Sequence, residues 1–130
     1  MQAYIERFEG TSVLTDNRDI ATADDAAAAL DQLDGREVTS ITYERGEGAN
    51  LMVSGGPGAY LASLWDDEAG EGWVAEEKGP GETGEVEVVS AGQSVLVPAN
   101  QVLSRGRVAE IVTAYVADGS RTAAVDWAAN

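Results

Sequence analysis

The stretch Trp65-Asp66-Asp67-Glu68, continued by Glu71, Trp73, Glu76 and Glu77, holds the densest chemistry in this chain. From Asp66 to Glu87, nine acidic residues stand against Lys78 alone. Aromatic rings set among carboxylates suit protein recognition, in which the rings anchor and the charges steer. Those eight residues are therefore candidate partner-binding residues, and a basic surface is their complement. A plainer reading stays open beside this one, with solvated carboxylates and core tryptophans. Catalytic readings have less support. Glu76 and Glu77 would have to converge on one substrate to act as an acid/base pair, yet adjacent strand residues point to opposite faces. Asp66-Asp67-Glu68 lacks the alternating oxygen ligands and terminal Glu of an EF-hand loop, so no specific metal site is expected. Gly55-Gly56-Pro57-Gly58 is followed by no Lys-Ser or Lys-Thr and reads as a turn, not a phosphate loop.

Composition narrows the chemistry further. The 130 residues include 23 Asp and Glu, 8 Lys and Arg, no His and no Cys, for a net charge of −15. Without His or Cys, thiol chemistry, imidazole acid/base chemistry and the usual zinc sites are closed, so neither an enzyme nor a bound cofactor is expected. So few basic residues cannot neutralise a phosphate backbone, which argues against a nucleic-acid partner. Met1 to Arg7 lacks the apolar core of a signal peptide, and no run approaches the ~20 apolar residues of a membrane span. The expectation is one soluble, cytoplasmic domain over residues 1–130, long enough to bury a core.

Periodicity supplies the elements that must position these residues. Tyr4, Glu6 and Phe8 alternate with Ile5, Arg7 and Glu9, which predicts an opening strand. A polar stretch, Thr15 to Asp19, leads to Thr22, a cap for a helix over 23–34 ended by Gly35. Short alternating runs then predict antiparallel strands at 38–44, 50–54, 59–66, 72–77 and 85–90, with turns at Gly46-Glu47-Gly48, Gly55 to Gly58 and Gly79-Pro80-Gly81. Residues 94–97 and 101–103 read as edge pieces around Pro98. Ser104 caps a second helix whose stripe is Val108, Ile111, Val112, Tyr115 and Val116, and Gly119 ends it. A last strand is predicted from Thr122 to Trp127, the latter a core residue. The fold class is α+β, a mostly antiparallel sheet with both helices on one face.

Gly92-Gln93, Val97-Pro98, Val102-Leu103-Ser104, Tyr115-Val116-Ala117-Asp118-Gly119 and Val125-Asp126-Trp127 occur in an order and spacing that resembles the first immunity-protein family of bacterial polymorphic toxin systems. Leu51-Met52-Val53 leading through Gly55-Gly56 to Tyr60-Leu61 is similar to that family's central hairpin, so the resemblance covers about residues 50 to 127. It implies a protein that binds and neutralises a cognate toxin inside the producing cell, often a nucleic-acid deaminase, and it carries no catalytic residues. Two alternatives compete. An acidic DNA mimic would set carboxylates in rows at duplex-like spacing, and a small ligand-binding protein would need a deep apolar pocket.

Overall fold

The computed structural model describes residues 1–46, 48–79 and 83–129. The Gly46-Glu47-Gly48 and Gly79-Pro80-Gly81 turns and the acid at Glu82 therefore fall wholly or partly outside the described residues. Strand β1, Gln2–Glu9, buries Ala3 and Ile5 and leaves Tyr4 and Glu6 half-exposed, as its alternation predicts. It turns through Gly10 and Thr11 into β2, Ser12–Asp19, with Glu9 opposite Ser12. The stretch read as a polar connection is thus mostly strand. Every residue of β2 is exposed, so no buried face marks it in the sequence; the ladder to β1 holds it, and its charges suit an edge.

Helix α1, Ala23–Ala29, starts where expected, with Thr22 Oγ1 accepting from the Asp25 N–H at 3.1 Å. It is shorter than the predicted 23–34, because a 3₁₀ turn, Leu30–Gln32, tightens it and Leu33 is extended. Asp34 then takes over the turn: its Oδ1 accepts from the N–H groups of Arg36, Glu37 and Val38 at 2.8, 3.0 and 3.0 Å. Gly35 is left-handed, at φ +72°, but within this turn and not as the helix cap. The backbone of Gly56 passes so close that a Cβ there would lie 2.5 Å from Gly35 N, which only glycine permits.

Strands β3 (Val38–Glu44), β4 (Asn50–Gly56), β5 (Ala59–Asp66) and β6 (Glu71–Glu76) form the predicted antiparallel meander. Strand β7, Glu85–Ser90, departs from it and pairs with β8, Gln93–Pro98, in a separate hairpin. Ala91 and Gly92, at φ 49° and 79°, close that hairpin with the two positive-φ residues a primed turn requires. Its tip is fastened to the sheet: Gly92 N–H donates to Thr39 Oγ1 at 2.8 Å and Ser90 Oγ to Ser54 Oγ at 2.9 Å. The predicted edge piece at 101–103 is instead the end of a 3₁₀ turn, Ala99–Gln101, followed by a single bridge from Leu103 to Tyr60.

Helix α2, Arg105–Asp118, matches its prediction: Ser104 Oγ accepts from the Arg107 N–H at 3.2 Å, and Gly119 is left-handed. The closing strand, β9, is Asp126–Ala129, later than Thr122, because Trp127 Nε1 donates to the Thr122 carbonyl at 3.0 Å and draws the preceding residues into a turn. The main sheet runs β2-β1-β3-β4-β5-β6-β9. Ala3, Ile5, Ile41, Tyr43, Leu51, Val53, Ala62, Leu64 and Ala75 meet Val108, Ile111, Val112 and Tyr115 in one core, with Trp127 packed at its margin. Each fully buried Ile, Leu or Val contributes about 1.5–3 kcal/mol. Two tyrosines bring hydroxyls into this layer and both find carbonyls. Tyr43 donates to Ala26 O at 2.7 Å, and Tyr115 lies 2.9 Å from Ala49 O and 3.1 Å from Tyr43 O. Burial raises both phenols above their ordinary pKa. The fold is α+β with both helices on one face of the sheet, and no described helix is long and apolar enough to cross a membrane.

Candidate partner-binding surface

The register fixes what lies on the face away from the helices. Tyr4, Thr42, Met52, Ser63, Val74 and Ala128 are successive cross-strand partners, forming a half-exposed row over six strands. Beside it, Asn50, Trp65 and Gly72 face one another on β4, β5 and β6. The β7–β8 hairpin covers part of this side, with Ser90 on Ser54 and Gly92 against the Phe8 ring.

Trp65 is 45% exposed, yet it is not loose. Its ring lies over Gly72, where any Cβ would run into the indole, an aromatic ring covering a cross-strand glycine. Its Nε1 donates to Asp67 Oδ1 at 2.6 Å. Asp66 shapes the following turn, its Oδ1 accepting from the N–H groups of Glu68 and Ala69 at 3.0 and 3.2 Å and its carbonyl from Gly70 N–H at 2.9 Å. Asp67 and Glu68 are thereby held outward. With Glu44 and Asn50 they line a shallow depression of ≈ 270 Å³. Glu44 makes this corner electronegative enough to raise the Tyr4 phenol, chiefly through its charge, then through burial and a hydrogen bond.

The eight predicted residues do not share one face. Trp65, Asp67 and Glu68 come together at this corner, and Glu76 lies on the same side, opposite Asp126 on β9. Asp66 is committed to its turn, and Glu71, its cross-strand partner, is exposed at the start of β6. Trp73 pairs with Leu64 and so belongs to the helix side, where it packs on the core with Arg121 Cζ 4.2 Å from its ring centroid. Glu77 also turns that way, its Oε1 accepting from Arg107 Nε at 3.1 Å. That hydrogen bond and the Glu77 charge hold the guanidinium pKa above its ordinary value. Glu85 and Glu87 are exposed on the separate hairpin.

Sequence reasoning passed over Tyr4, Thr42, Glu44 and Met52. Their signal was present in the alternation of β1, β3 and β4, which sets them opposite Ile5, Tyr43 and Val53. Among the described residues, no group of three or more Asp and Glu is disposed to hold a metal ion.

No curated protein matches the chain. A family model does: residues 15–129 match immunity protein Imm1, a span that begins within β2 and takes in both helices and every later strand through β9, leaving out β1. This match extends the resemblance seen from residue 50 onward back into the second strand. The chain belongs to the Imm1 family of immunity proteins.

Proposed function

We propose that this immunity protein neutralises a cognate toxin of a bacterial polymorphic toxin system by binding it one to one, in the cytoplasm, through an acidic surface that includes Trp65, Asp67, Glu68 and Glu76. Its action needs no catalysis and no cofactor; it occupies the toxin. The observation that carries this reading is the corner where Trp65, fixed by Gly72 and Asp67, stands beside Glu44, Asp67 and Glu68. A rigid ring loses little freedom on binding, while the carboxylates raise the encounter rate with a basic surface. A nucleic-acid deaminase suits this complement, since a protein that grips phosphates presents Lys and Arg.

The DNA-mimic alternative has less support. The central row of the open face contains Tyr4, Met52 and Val74 and no acid at all, so the carboxylates form a rim around a partly apolar floor and not parallel lines. Titration calorimetry with the toxin domain encoded by the neighbouring reading frame tests the reading. A 1:1 complex that abolishes toxin activity is expected. Active toxin in the presence of excess immunity protein overturns it.

A further inference from the structure

The two faces of the main sheet treat charge differently. Strand positions on the open face carry Glu6, Asp19, Glu44, Glu76 and Asp126, and none of the eight Lys and Arg residues. The cations are used on the other side or at the rim. Arg45 Nη1 caps the end of α2 at 2.6 Å from Val116 O, Arg105 reaches Ala27 O at 2.9 Å, Arg107 binds Glu77, and Arg121 covers Trp73. One tryptophan thus has its cation from within the chain. Trp65 has none among the described residues, though its indole N–H donates to Asp67 and its cross-strand partner Asn50 donates to Glu44.

Resting on the toxin-binding reading above, we propose that the open face is the docking surface, and that an Arg or Lys of the toxin seats on the outer side of the Trp65 ring. Gly72 backs the inner side and Asp67 holds the ring edge, so the outer side is what remains to be covered. A guanidinium stacked there is attracted by the ring quadrupole and lies within reach of the Glu44, Asp67 and Glu68 carboxylates. Met52 and Val74 supply the partly apolar floor beside it, the arrangement of an anchor within a charged rim. The occupant is therefore a cationic protein surface; a second copy of this chain, with its net charge of −15, would be repelled.

Dissociation of the neighbouring-frame toxin domain from Trp65→Ala, Val74→Arg and, on the outer side of α2, Thr113→Arg separates the outcomes. At least tenfold faster dissociation is expected for the first two and wild-type behaviour for the third, with circular dichroism and melting temperature near the parent's in all three. Trp65→Phe should recover part of the loss, since a ring remains. Wild-type dissociation from Trp65→Ala and Val74→Arg overturns the docking surface while leaving the toxin-binding reading standing. If the unmodified chain forms no complex, that reading itself fails, and this inference with it.

Discussion

Trp65 and Trp73 lie on neighbouring strands, both flank the same acidic turn, and end in opposite situations. Trp73 faces the helices and is covered by Arg121; Trp65 faces away from them and is backed by a glycine. Strand alternation separates them: Leu64 pairs with Trp73, Trp65 with Gly72, and consecutive positions on a strand belong to different faces. The contrast teaches that Arg45, Arg107 and Arg121 serve the helix side of the sheet, leaving the strand positions of the other side acidic and uncovered by helix. One side of the sheet is architecture. The other is proposed as recognition.

The strongest way to sharpen that contrast is to place the same charge on both sides. Val112→Asp buries an unpaired carboxylate against the helix side and should lower unfolding free energy by on the order of 4 kcal/mol. Thr42→Asp, on the open row, should cost about 1 kcal/mol or less. Chemical denaturation compares the two, and equal losses would break the distinction. Reversal of Asp67, Glu68 and Glu71 to Lys comes next. Toxin association should slow severalfold and lose much of its salt dependence while the melting temperature stays near the parent's, because exposed charges act mainly at long range. Stopped-flow at two ionic strengths reads this directly.

Smaller effects probe the helix side. Arg121→Ala removes one cation–π contact and should cost about 0.5–1 kcal/mol without altering toxin dissociation. The Asp34 carboxyl titrates below its ordinary value: burial alone would raise it, but the N–H groups of Arg36, Val38 and Glu37 together outweigh that. With the folded pKa depressed, its contribution is present above the unfolded value of about 3.9 and is lost as pH falls through the lower folded one. Stability measured on acidification should therefore decline over that window, and Asp34→Asn should lack this part of the decline.

Much of this architecture is legible from residues alone, and the failures share a cause. Helix α2 announces itself through Ser104, the stripe from Val108 to Tyr115, and Gly119. The meander announces itself through alternation between glycine breaks. Strand β2 is invisible because neither of its faces is buried; only pairing with β1 defines it. Strand β7 alternates like its predecessors, yet whether it joins the sheet depends on β9 taking the β6 edge from far along the chain. The same limit applies to the candidate site. Local sequence puts Trp65 and Trp73 together with their acids, whereas the register separates them and brings in Tyr4 and Glu44 from distant strands.

One spectrum addresses the central proposal most directly. The chain has three tryptophans and two methionines, so indole N–H and methionine methyl signals report both sides of the sheet at once. On adding the toxin domain, the Trp65 indole and Met52 methyl should shift or broaden, while the Trp73 and Trp127 indoles stay near their free positions. Movement of Trp73 and Trp127 with Trp65 and Met52 unchanged would place the toxin on the helix side and contradict the account.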